Sequence, residues 1–197
     1  MGLGKRVGAS PARLGPMTAR DVPPGPRGRA GLRRDPALVP LSRDHHDVLV
    51  QVLWLRRALP GPAEALRRAA DGFHAFYAEE MVGHMRDEEE VVLPLAGAAD
   101  PEGAERIRSE HREIHELSSR LRASLDDHPA LAAVALELAQ LVDDHVRFEE
   151  RAFFMRVQEA LDPASLDALG ARLLAYREER GRLEACRRPP AGPQGTS

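Results

Sequence analysis

The feature that most constrains this chain is a set of histidines placed where a helical protein normally puts apolar side chains. His45 precedes Val48, Leu49 and Val52 at helical spacing. His84 and Glu88 lie four apart, on one face of a helix that continues Phe73, Tyr77 and Met81. His111 sits between Ile107 and Ile114, with His115 one turn later, and His145 follows Leu138 and Leu141 with Glu149 one turn beyond. A buried polar group without a partner costs roughly 1–3 kcal/mol. Five imidazoles and two carboxylates left unpaired would consume a typical domain stability of about 5–15 kcal/mol. A pair of metal ions removes that cost, because it takes up the nitrogen lone pairs and neutralises the carboxylates.

The pattern is repeated within the chain. Asp44-His45-His46-Asp47-Val48 aligns with Glu110-His111-Arg112-Glu113-Ile114, 66 residues further on, and His84-Met85-Arg86-Asp87-Glu88-Glu89 aligns with His145-Val146-Arg147-Phe148-Glu149-Glu150 at an offset of 61. Two helical hairpins, each carrying a His and then a His-x-x-x-Glu, pack about a pseudo-twofold axis and bring one carboxylate from each half to the centre. The alignment favours His45 over His46 as the inward residue, since His46 matches Arg112. Glu89, Glu90 and Glu150 read as solvated charges, with Glu150 in reserve for Glu149; His74 and His128 fall off the constellation.

The remaining pattern predicts helices and no strand. A first helix starts near Ser42 as N-cap and ends at Gly61-Pro62; a second runs from about Pro62 to Leu93, where Pro94 ends or kinks it. Asp100-Pro101 opens a third, Pro129 a fourth, and Asp162-Pro163 a fifth that runs to about Cys186. Short connections favour antiparallel neighbours. The expected architecture is therefore all-α: an antiparallel up-down four-helix bundle over 39–186, with metal motifs in 41–160, an additional C-terminal helix over 163–186, and disordered tails. Residues 1–38 carry eight Lys and Arg against two Asp and are rich in Pro and Gly, so this basic head buries too little apolar surface to fold; 187–197 form a second such tail.

Composition narrows the function classes. The formal net charge is -3, against a nucleic-acid-binding role for the whole chain. One cysteine, Cys186, excludes an internal disulfide framework or thiolate cluster. No apolar run suggests a membrane span and no secretory signal is apparent, so a cytoplasmic location is expected. The imidazole and carboxylate donors suit iron, manganese, zinc or copper, and seven donors exceed a single four-coordinate zinc.

Asp44-His45-His46, His84-x-x-x-Glu88-Glu89, Glu110-His111-x-x-x-His115 and His145-x-x-x-Glu149-Glu150 together resemble the hemerythrin family in its bacterial HHE cation-binding form, over about 41–160. The resemblance implies a non-haem centre of two iron ions, joined by an oxo or hydroxo group and bridged by Glu88 and Glu149. It implies that His111, His115 and His145 hold one iron, and that His45 and His84 hold the other and leave it an open position for dioxygen or nitric oxide. Where the animal oxygen carriers have an aspartate five residues after the histidine of the fourth helix, this chain has Glu149 at four and Glu150 at five. The expected function is binding of dioxygen or nitric oxide for storage, delivery or sensing. The alternatives are an enzyme consuming peroxide or nitric oxide, and an iron-responsive or stress-regulatory interaction module.

Overall fold

The computed structural model describes the backbone of residues 33–187 and the side chains of 33–183. The described residues form five helical runs and no strand: α1 (Val39–Ala58), α2 (63–96), α3 (Pro101–Ala123), α4 (128–160) and α5 (Pro163–Arg187). Most of the basic head and the last ten residues, both expected to be disordered, lie outside the described residues.

The helix starts follow local chemistry, with one shift from expectation. The Asp100 side chain accepts from Gly103 N–H ahead of Pro101, and the Asp127 side chain accepts from Ala130 N–H ahead of Pro129. Gly103 suits this cap, because an added Cβ would lie 2.2 Å from Asp100 Oδ2 and push the capping carboxylate aside. The first helix, however, begins at Val39 and not at Ser42, and Leu38 at its N-cap position supplies no side-chain hydrogen bond. Asp35 does the capping from outside: its carbonyl accepts from Leu38 and Val39 N–H, and its carboxylate accepts from Ala37 N–H. Leu38 is fully buried, so the end of the head belongs to the fold.

α2 runs through Pro94 instead of ending before it. The backbone widens to π-helix over Glu88–Val92 just ahead of the proline, and Leu93 N–H bonds to Glu88 carbonyl. That shift in the hydrogen-bond ladder accommodates a ring that has no N–H to offer and would otherwise clash with the preceding turn. Further π segments occupy Tyr77–Met81 and Glu149–Phe153. Those at Glu88 and Glu149 start at equivalent positions of the internal repeat.

α1 packs on α2 and α4, and α3 on the same two helices. The core falls into two apolar clusters. One joins Val48, Val52, Leu55, Leu66, Phe73, Met81 and Met85 to Ile114, Leu117, Leu121, Leu138 and Val142. The other joins Leu38, Leu41, Val91 and Val92 to Ile107, Phe153, Phe154 and, from α5, Leu166, Leu169 and Leu173. Between them each of α1 to α4 changes to polar residues: His45 lies between Leu41 and Val48, His84 and Glu88 between Met81 and Val91, His111 between Ile107 and Ile114, and His145 and Glu149 between Val142 and Phe153. The packing thus encloses a polar layer between two hydrophobic ones.

Asp100 also pairs with Arg156 of α4 and is buried, whereas Asp127 is exposed. Asp100→Ala is expected to lower unfolding free energy by about 1–2 kcal/mol, and Asp127→Ala by about 1 kcal/mol or less. Urea denaturation of both variants checks this; equal losses would show that the Arg156 pair and burial add nothing to the cap.

Candidate metal centre

Six of the seven sequence-derived site residues meet in the polar layer. His45, His84, Glu88 and Glu149 form one group and His111, His145, Glu88 and Glu149 a second, each with ligand atoms within 4.8 Å of one another. The two groups share both glutamates. All six side chains are at least nine-tenths buried, while His46 is exposed.

The halves repeat in geometry as they do in sequence. The His45 and His84 rings stand 4.7 Å apart at 67°, and the His111 and His145 rings 4.9 Å apart at 67°. Nε2 of His45 lies 2.9 Å from Glu149 Oε2, and Nε2 of His111 lies 3.2 Å from Glu88 Oε2. Within each helix, His84 Nε2 to Glu88 Oε1 and His145 Nε2 to Glu149 Oε1 both measure 3.4 Å.

Each imidazole is turned inward by a carboxylate on its outer nitrogen. His45 Nδ1 bonds to Glu150 at 2.7 Å, His84 Nδ1 to Asp44 at 3.1 Å, His111 Nδ1 to Glu89 at 2.8 Å and His145 Nδ1 to Glu110 at 2.8 Å. In every case the carboxylate comes from a different helix. A carboxylate on Nδ1 fixes the tautomer that leaves the Nε2 lone pair for a metal. Glu150, half-buried, and Glu89, which remains exposed to solvent as expected, are therefore also structural parts of the site, each holding a histidine. The repeat carried the missing signal: the Glu-Glu pairs at 88–89 and 149–150 and the acids at 44 and 110 recur at the same offsets as the histidines.

His115 is not brought to the cluster. It is exposed and bonds through Nδ1 to the Tyr77 hydroxyl. The inward stripe of α3 runs Ile107, His111, Ile114, Ser118, Leu121, and His115 lies beside that stripe. The two positions are thus furnished alike, with two histidines and two shared glutamates each.

The donor set fits a metal pair. Both carboxylate oxygens of Glu88, both of Glu149, and Nε2 of His111 are buried without a hydrogen-bond partner among the described residues; the close contacts between these oxygens and the imidazole nitrogens are not aligned for hydrogen bonding. His45 and His84 approach Nε2 to Nε2 at 3.0 Å, which for two neutral rings protonated on Nδ1 sets lone pair against lone pair. Such a layer needs positive charge at its centre. Without metal, protons supply it. Burial opposes charge on His84, but Glu88 and Asp44 overcome it and push its pKa up to about 10; burial likewise opposes charge on His111, but Glu88 and Glu89 push it up to about 9. Burial would raise Glu88, but the His84 and His111 imidazoliums hold it well below its usual range.

These directions fix a pH dependence for metal-free protein. A histidine whose folded pKa lies above its unfolded value of 6.5 adds stability that is complete below 6.5 and lost as pH rises through the folded value. A glutamate held below 4.5 adds stability above that value and loses it in acid. The melting temperature of chelator-treated protein is therefore expected to fall between about pH 7 and pH 10, while metal-loaded protein, whose histidines are already neutral, varies less. A flat profile for the metal-free form would contradict the paired imidazolium–carboxylate layer. Loading metal near pH 7 should also release protons to a weakly buffered solution.

No significant match is found among curated proteins or among solved structures. The family model for the hemerythrin HHE cation binding domain matches residues 38–157, a span that begins at the buried Leu38, contains all six clustered residues, and stops before α5. The chain belongs to the hemerythrin HHE cation-binding family.

Proposed function

We propose that this protein holds two iron ions in an antiparallel up-down four-helix bundle, bridged by Glu88 and Glu149, and binds dioxygen or nitric oxide there for storage, delivery or sensing in the cytoplasm. The observation that carries the reading is the pair of four-residue groups sharing both glutamates. A single ion leaves one pair of histidines without a partner; two ions engage all four. Short connections between successive helices, and the packing of α1 and α3 on α2 and α4, favour the up-down order. No helix of the described residues is long and apolar enough to cross a membrane, and the charge balance gives no footprint for nucleic acid.

Iron in this setting supplies redox change and coordination positions for a small diatomic ligand. The protein's part is to hold, neutralise and shield. Four protein residues per position leave room in a six-donor shell. A cleft of about 610 Å³, lined in part by Asp44, Asp47, Met81, His84 and Arg177, reaches the His84 side and gives a small ligand its approach. Phe154 stacks on His45 at 5.7 Å and screens that side from water. The set is rich in imidazole and has only two carboxylates facing the metals, a balance that favours reversible binding over strongly oxidising chemistry.

The test is a gas titration of the anaerobically reduced, iron-loaded chain, followed in the visible spectrum. Binding predicts a stoichiometric, reversible change that is lost in His45→Ala and His84→Ala. Sustained consumption of dioxygen, peroxide or nitric oxide would instead establish turnover, and the absence of any spectral change would overturn the gas-binding reading.

A further inference from the structure

The two halves of the centre reach the same arrangement by different means. In the second half, the carboxylate that holds a histidine is itself held by an arginine of its own helix: Arg106 Nε donates to Glu110 Oε1 at 2.7 Å, and Glu110 bonds to His145. The Arg106 guanidinium rests on the Phe148 ring, 3.9 Å from its centroid. In the first half, the position of Arg106 in the repeat is occupied by Pro40, which lies in the first turn of α1 and has no charge to offer. The arginine comes instead from α5, outside the matched family span. Arg177 Nη2 donates to Asp44 Oδ2 at 2.5 Å, and Asp44 bonds to His84.

The residue beneath the arginine changes in step. Phe148 corresponds to Asp87, which is fully buried. Arg177 Nε lies 2.7 Å from Asp87 Oδ2, an ion-pair contact, and Arg180 pairs with Asp87 Oδ1 while donating to the Gly83 carbonyl at 2.6 Å. Gly83 admits that approach: a Cβ there would lie 3.2 Å from the Arg180 guanidinium carbon. A buried aspartate is costly unless it is paired, and among the described residues the two guanidinium partners of Asp87 come from α5. The chain thus carries on α2 a charged socket shaped for this helix, next to its first-half metal position.

We propose that Arg177 is a positioning residue of the metal centre: through Asp44 it fixes the His84 imidazole, so that the position held by His45 and His84 is complete only when α5 is docked. This rests on the two-metal reading of the site. Arg177 touches neither ion; it acts through the carboxylate on His84, and its counterpart in the other half is Arg106. Metal at that position and docking of α5 support each other, whereas the position held by His111 and His145 is independent of α5.

The test is cobalt(II) titration of the full-length chain against a competing chelator, resolving the two binding steps. In wild type both steps appear, and His84→Ala identifies the step that belongs to the first-half position. Arg177→Met is expected to weaken that step about 10–100-fold and to leave the other unchanged, with Arg106→Met showing the reverse selectivity. Arg177→Lys keeps the charge but does not bridge Asp44 and Asp87, so it should weaken the same step by less, and it serves if the Met variant fails to fold. Adding Arg177→Met to Asp44→Ala should cost nothing further at that step, since the arginine acts through Asp44. Wild type binding two ions with Arg177→Met and Arg177→Lys unchanged, or with both steps weakened equally, overturns the positioning role alone. Wild type that does not bind two ions overturns the two-metal reading and this inference with it.

Discussion

The structure depends on one unfavourable contact arrangement, four buried carboxylate oxygens of Glu88 and Glu149 that face four inward imidazoles and accept no hydrogen bond among the described residues. Nothing in the two flanking apolar clusters can compensate them. The helices must therefore meet in a register that brings all six residues to one level and leaves a place for positive charge. That requirement accounts for features that look unrelated. The π segments begin at the glutamates themselves, so one residue faces the centre while its neighbour, Glu89 or Glu150, reaches a histidine on another helix. The outer carboxylates are held as anions in turn: burial opposes the charge on Glu150, but His45 and Arg34 bring its pKa down to about 2.

Much of this was legible in the sequence because two periodicities coincide there. Helical spacing placed His45, His84, His111 and His145 on apolar stripes, and the internal repeat put Glu88 and Glu149 at matching positions. Both signals concern which side of a helix a residue occupies, and a face is what sequence resolves best. Three features escaped. His115 shares a face with His111 at four-residue spacing, but the inward stripe of α3 advances by alternating fours and threes and passes it by. Glu89 and Glu150 sit one residue past the inward face of Glu88 and Glu149, a position that reads as solvent unless the neighbouring helix is in view. The start of α1 was misplaced because its cap comes from Asp35 in a preceding turn, not from a helix-start residue such as Ser42.

The part played by α5 was the least legible. Arg177 and Arg180 lie some 90 or more residues from Asp87, in a segment with no repeat partner, and on composition alone they are ordinary helix-surface charges. Their meaning comes from tertiary placement against a buried aspartate and against the carboxylate on His84. The internal repeat explains why they are needed, since Pro40 stands where the other half has Arg106. A family domain and an added helix are thus joined through ion pairs to Asp44 and Asp87 beside His84, and not only through the apolar contacts of Leu166, Leu169 and Leu173.

The most direct test of the account is anomalous diffraction at the iron edge from crystals of the iron-loaded chain. Two peaks are expected, both in contact with Glu88 and Glu149, one beside His45 and His84 and the other beside His111 and His145, with His115 distant from either. A single peak, no peak within the polar layer, or coordination by His115 in place of one of these four histidines would contradict it.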